Sequence, residues 1–179
     1  MASAYDLLSG SEEQKGLDVA GYLSSVVADV CELSEVPAGP VVPEVSCEDI
    51  SLDIDTTMRI GLVVDELALN SMKYAFPGIE WPEGWAPRIS VSLQVAPAAS
   101  GCDACFLLVY SDNGLGLPGD FDYAGGGELW LKKGTGARSG LGHLLVDALL
   151  EQLGASIEVK PLAHEKPRGL CFEIRFSKR

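Results

Sequence analysis

In LDVAGYLSSVVADVCEL, residues 17 to 33, the apolar side chains Val19, Tyr22, Leu23, Val26, Val27 and Val30 recur three or four residues apart. That spacing lines one face of a helix, and Asp18 stands where it can serve the start. A Pro-rich stretch from Pro37 to Pro43 ends the pattern, and short β-like runs follow around Val41 to Val45 and Ile50 to Ile54. Asp55-Thr56-Thr57 then reads as the cap of a second helix, expected to reach about Tyr74 before Pro77 and Gly78 stop it. RISVSLQV (88 to 95) and CFLLVYSD (105 to 112) read as two strands of an antiparallel hairpin with a longish loop. A third helix is predicted from Gly140 to Leu153, then strands at Ser156 to Val159 and Leu170 to Phe176. This order predicts an α+β fold: a two-layer sandwich whose mixed, mainly antiparallel sheet is covered by helices on one face.

Within the second helix, Ile60, Val63, Val64, Leu67, Ser71 and Tyr74 form the expected core stripe. Glu66, Asn70 and Lys73, at i, i+4 and i+7, form a polar line about a quarter turn away, at the rim where a pocket could open. An ordinary solvated face accounts for that line equally well. The run DNGLGLP, from Asp112, directly follows an apolar strand. A carboxylate there can accept from an amino group, and its glycines let a ligand approach the backbone, although Asn-Gly is also a turn signal in its own right. SGLGH, from Ser139 to His143, opens the third helix, where unpaired N–H groups and the helix dipole suit a phosphate. Lys132, Lys133 and Arg138 could add cationic contacts from the Gly-rich segment between Asp112 and Gly140.

Composition narrows the partners. At 179 residues and 47% hydrophobic content the chain can bury one full core, and no repeat or second domain is evident. A formal net charge of -13 argues against a nucleic-acid surface. No run approaches the roughly 20 apolar residues that span a bilayer, and the start has neither a basic nor a long apolar segment, so a cytoplasmic chain with no membrane contact is expected. Five cysteines cannot all pair within one chain; free thiols are expected, with Cys102 and Cys105 as a C-x-x-C lacking a second pair at ligand spacing.

Taken together and in this order, ELALNSMKYAFP, DNGLGLP and SGLGHLLVDALLEQLGA resemble the N box and two glycine boxes of the histidine kinase branch of the ATPases that include gyrase and the Hsp90 chaperones. KYAFP and EQLGA look most like the subgroup whose helical hairpin is of the second, less common type, in which a segment like AYDLLS followed by LDVAGYL comes directly after the hairpin. The resemblance implies an ATP-binding catalytic domain over residues 17 to 179, a lid at about 113 to 139, and in residues 1 to 16 the tail of a hairpin belonging to a longer protein. It implies Asn70 as the Mg²⁺ ligand, Glu66 as the residue that orients water or acts as base, and Lys73 as a phosphate contact. Asp112 would accept from the adenine amino group, Tyr74 would flank the base or sugar, and Gly114 and Gly116 would hinge the lid. Ser139, Gly140, Leu141 and Gly142 would hold the distal phosphates of ATP by backbone N–H groups.

The implied partners are the phosphoacceptor hairpin of the parent kinase, with a homodimer formed through it, and a response regulator. His143 stands where the family usually has an apolar residue, and neither it nor His164 lies in an acceptor-like helix beside an acidic residue, so the phosphoacceptor is expected outside this chain. A serine kinase of the anti-sigma-factor type would need no acceptor of its own, but AYDLLS favours the histidine kinase. A non-catalytic module that docks a response regulator is opposed by the intact Glu66, Asn70, Asp112, Gly140 and Gly142.

Overall fold

The computed structural model describes residues 17–33, 36, 39–96, 105–116, 141–162 and 169–177, with the side chains of Leu141 and His143 outside that set. The first apolar stripe forms α1 (Val19–Leu33), and all six residues of the stripe are buried. Asp18 caps it: the backbone N–H of Gly21 donates to Asp18 Oδ1 at 2.9 Å. Next come β1 (Val42–Cys47) and α2 (Ile54–Asn70), which continues into a π-helical turn (Ser71–Ala75). They are followed by β2 (Arg88–Ala96), β3 (Cys105–Asp112), α3 (Leu141–Leu153), β4 (Ser156–Pro161) and β5 (Leu170–Ser177).

The sheet order is β1-β2-β3-β5-β4, with β1 parallel to β2 and the remaining pairs antiparallel. Along β3 and β5 the alternate residues Phe106, Leu108, Tyr110 and Phe172, Ile174, Phe176 are buried and join α1, α2 and α3 in one core. The other face carries Glu158, Lys160, Glu173 and Arg175 in ion pairs. This is the expected α+β sandwich: period-two alternation lets one face of the sheet take the helices while the other stays wet. Gly61 permits the close approach of α1 and α2, since a Cβ there would collide with the Tyr22 ring.

Three local expectations are corrected. Ile50 to Ile54 forms no strand: Ile50 and Leu52 are buried core residues on the path into α2, and Ile54 is its first residue. The cap of α2 is Asp53 rather than Asp55-Thr56-Thr57, for Asp53 Oδ1 accepts from Thr56 N at 2.8 Å and Oδ2 accepts from the Thr56 hydroxyl at 2.8 Å. These bonds hold the Asp53 carboxyl below its usual range. Tyr74 does not continue the core stripe; it is 58% exposed. The wider i→i+5 turn, closed by Phe76 N donating to Ser71 O at 3.1 Å, lags behind the α-helical rotation and carries Lys73 and Tyr74 out to the surface.

An Asp53→Ala change should lower stability by about 1 kcal/mol at neutral pH. Because the folded carboxyl titrates below its unfolded value, the cap's contribution is present above the ordinary Asp range and is lost as pH falls through the folded pKa. The wild-type and variant denaturation midpoints should therefore converge in acid.

Candidate functional site

The C-terminal end of α2, the end of β3 and the start of α3 meet. Asp112 closes β3 with only 3% of its surface exposed. Its Oδ2 accepts from the Ser71 hydroxyl at 2.7 Å, and its Oδ1 accepts from the backbone N–H of Gly114 at 2.9 Å. Burial pushes its carboxyl pKa up, while the bonds from Ser71, Gly114 and the Leu170 backbone pull it down. Asn113 is structural: its Oδ1 accepts from Arg88 N at 2.7 Å and its Nδ2 donates to Ala86 O at 2.9 Å, fixing the start of β2 to the end of β3.

Gly114 is required by space. A Cβ there would stand 2.5 Å from Ala75 Cβ and 2.6 Å from the Ala75 carbonyl oxygen. The same carbonyl accepts from Leu115 N at 2.9 Å, so the π-helical turn anchors the glycine run. Gly116 has a φ of 69°, the left-handed region that favours glycine, where the chain leaves the site.

Glu66 and Asn70 lie one turn apart on α2, both half-buried. The Asn70 Nδ2 is buried and has no hydrogen-bond partner among the described residues. An unpaired buried N–H is costly, so this NH₂ group suits an acceptor supplied from outside the described residues. Glu66 approaches α3: a Cβ on Gly142 would stand 2.5 Å from Glu66 Oε2. The helix start and the glutamate are thus in van der Waals contact only because residue 142 lacks a side chain. Lys73 and Tyr74 follow on the exposed side of the turn. Ser139, Gly140, Lys132, Lys133, Arg138, His164 and Cys102 lie outside the described residues, as do the side chains of Leu141 and His143 and the lid beyond Gly116.

Among the described residues, no group of three or more His, Cys, Asp or Glu gathers to hold a metal ion. Asn70 still fits Mg²⁺, which keeps several waters and takes one or two protein oxygens beside substrate phosphates rather than a protein cage. The described cysteines, Cys31, Cys47, Cys105 and Cys171, are free thiols, and burial pushes Cys31 up to about 11, leaving it a poor nucleophile. Among the described residues no helix is long and apolar enough to cross a membrane.

Residues 55–179 match the family model described as histidine kinase-, DNA gyrase B-, and HSP90-like ATPase. The chain belongs to that family. Solved structures of similar fold include the histidine kinase domain of the Erythrobacter litoralis EL346 blue-light activated histidine kinase. It has a TM-score of 0.67 at 21% identity, over 97% of this chain and 71% of that one. The mycobacterial sensor histidine kinase MprB gives 0.57 at 21%, covering 86% of this chain and 93% of that one. Full-length ShkA in complex with AMPPNP gives 0.61 at 16%, covering 98% of this chain and 34% of that one. No curated protein sequence matches.

In this member of the histidine kinase-, gyrase B- and HSP90-like ATPases, two polar residues of the site escaped sequence reasoning. Helical spacing places Ser71 in the core stripe and alternation places Tyr110 in a strand, and neither pattern assigns them to the site. Both are buried, and their hydroxyls lie 2.8 Å apart. The available signal was a serine inside an otherwise apolar helical stripe, since a buried hydroxyl needs a partner.

Proposed function

We propose that residues 17–179 are the Mg-ATP-binding catalytic domain of a sensor histidine kinase, transferring the γ-phosphoryl group of ATP to a histidine on a helical hairpin of the parent protein for relay to a response regulator. Residues 1–16 would be the tail of that hairpin, through which the parent protein would dimerise, in the cytoplasm. One observation carries this reading: a buried carboxylate, an amide whose Nδ2 has no partner among the described residues and a glutamate against the glycine near the start of α3 converge at the end of α2.

Each residue then has a chemical task. Asp112 accepts from the exocyclic amino group of adenine, Tyr74 flanks the base or sugar, and Lys73 meets phosphate. The backbone N–H groups of Ser139, Gly140, Leu141 and Gly142 would take the distal phosphates, since helix-start donors favour negative charge. Asn70 would hold Mg²⁺ through its amide oxygen, neutralising phosphate charge. Glu66 orients water or accepts a proton beside Asn70. Of the two glycines expected to hinge the lid, Gly116, with its φ of 69°, is where a hinge would lie, whereas Gly114 is held against Ala75.

ATP and ADP are expected to bind with micromolar to sub-millimolar affinity in the presence of Mg²⁺, read by calorimetry. No heat at millimolar nucleotide would favour a non-catalytic docking module, and phosphate found on a partner's serine would favour the serine-kinase reading.

The contact between Glu66 and Gly142 supplies a separate test. Gly142→Ala places a methyl 2.5 Å from Glu66 Oε2, the far end of a flexible side chain. The fold should survive, since Ala favours a helix over Gly by roughly 0.5–1 kcal/mol. Phosphoryl transfer should fall as the carboxylate swings aside. An unchanged melting temperature with unchanged transfer would show that the position of Glu66 is immaterial.

A further inference from the structure

The buried hydroxyl pair behind Asp112 has no part in the roles given above. Tyr110 is fully buried, and Ser71 and Asp112 are each 3% exposed. Ser71 Oγ has three oxygen neighbours: Asp112 Oδ2 at 2.7 Å, Tyr110 Oη at 2.8 Å and the Leu67 carbonyl at 3.2 Å. It has one proton to donate. An ionised carboxylate only accepts, it is the nearest acceptor, and a charge-assisted bond is the stronger one. The Leu67 carbonyl already accepts from the Ser71 backbone N–H. Ser71 therefore donates to Asp112, and Tyr110 donates to Ser71.

The chain Tyr110 to Ser71 to Asp112 thus runs with one polarity, in a dry interior where such chains strengthen. With Gly114 N–H on Oδ1 and Ser71 on Oδ2, both carboxylate oxygens are pinned, and the plane of the group cannot rotate. The Leu170 backbone N–H takes a further lone pair, and what is left over is fixed in orientation with the carboxylate.

We propose that Ser71, itself oriented by Tyr110, is a positioning residue that aims the Asp112 carboxylate at the ligand and so sets preference for a base bearing an exocyclic amino group. This rests on the reading of Asp112 as the base acceptor. The electrostatics agree: burial favours the protonated acid, and Ser71 is the one side chain that opposes it, alongside the backbone N–H groups of Gly114 and Leu170. A protonated Asp112 would present a donor where an amino group needs an acceptor, and would suit a 6-oxo purine instead.

The test compares Mg-ATP with purine riboside triphosphate, which lacks the 6-amino group, by calorimetry on the full chain. Wild type should prefer ATP. Ser71→Ala should weaken ATP by roughly tenfold, the scale of one lost bond to a charged group, and purine riboside triphosphate by less than about twofold on the same scale. Tyr110→Phe, which keeps the ring, should give a smaller loss of the same selectivity, and Ser71→Thr should restore it in part by returning the hydroxyl. Equal losses for both nucleotides in Ser71→Ala and Tyr110→Phe would overturn the proposal, as would no loss for either. Asp112→Asn separates the two levels. If it abolishes the ATP preference while the Ser71 and Tyr110 variants keep it, the positioning role fails alone; if it too keeps the preference, the base-acceptor reading has failed and the inference falls with it.

Discussion

Replacing Glu66 by Ala is expected to lower γ-phosphoryl transfer by roughly 100- to 10,000-fold, the range spanned by a positioned acid or base. The argument is geometric. Glu66 sits one turn before Asn70, half-buried, with its carboxylate against the start of α3, where a bound γ-phosphate would face helix N–H groups. Its neighbour Asp65 titrates above its usual value, through burial first and then the charge of Glu66. On the proposed roles, losing Glu66 removes the group that would orient water beside Asn70, whereas Asp112 at the end of β3 is untouched. ATP affinity should therefore change little while transfer collapses. The measurement is transfer of label from γ-labelled ATP to a separately expressed hairpin of the parent protein, with acid lability marking phosphohistidine. The chain without that hairpin should not label itself; robust acid-labile labelling lost on changing His143 or His164 would place the acceptor within this sequence. Transfer that survives in Glu66→Ala would assign the proton or water to another group.

Asp112→Asn is expected to weaken ATP binding by roughly 5- to 150-fold, equivalent to about 1–3 kcal/mol for a buried bond left unmade. The structure shows how the amide would settle. Its oxygen can take the Gly114 N–H, and its NH₂ can donate to Ser71 Oγ, which turns its proton to the Leu67 carbonyl. The bond between Ser71 and the side chain at position 112 reverses while Tyr110 still donates to Ser71, and an N–H faces the ligand where a lone pair stood. Stability moves the other way. Because burial raises the Asp112 carboxyl, the folded state is penalised as pH rises from the unfolded carboxylate value through the folded one. The neutral amide escapes that penalty, so Asp112→Asn should gain stability relative to wild type on going from acid to neutral pH. Paired denaturation and calorimetry check both halves. Loss of binding accompanied by loss of stability at neutral pH would mean that Asp112 is chiefly a structural residue.

Two features of the site follow from side chains at the ends of elements. Asn70 closes α2 and Ser71 opens the π-helical turn, so the amide offered to a ligand and the hydroxyl pinned to Asp112 are consecutive residues. The turn leaves the Ala75 carbonyl to Leu115, which fixes the glycine run behind the same carboxylate. A Cβ on Gly114 would meet the backbone of Ala75, so Gly114→Ala would have to displace main chain, whereas Gly142→Ala displaces only a side-chain end.

The sequence by itself determined most of the elements, because periodicity is local. The α1 stripe, the alternation of β3 and β5, and the polar pair Glu66 and Asn70 one turn apart need only the geometry of a helix or strand to be read. Glycine runs after a strand and before a helix likewise announced themselves, and Asp112 was legible as the residue at the end of an apolar strand. The tertiary structure decided what those residues meet. Asp53 rather than Asp55 caps α2, a choice of two residues that composition leaves open. The π-helical turn depends on Ala75 giving its carbonyl to Leu115 and on Ser71 reaching Asp112, partners 40 and 41 residues along the chain. Glu66 meets Gly142 only once α2 and α3 pack together. A pattern with a period of two or 3.6 residues cannot encode such distant pairings, so the polarity of the Tyr110–Ser71–Asp112 chain became visible only when packing brought the three oxygens within hydrogen-bonding distance.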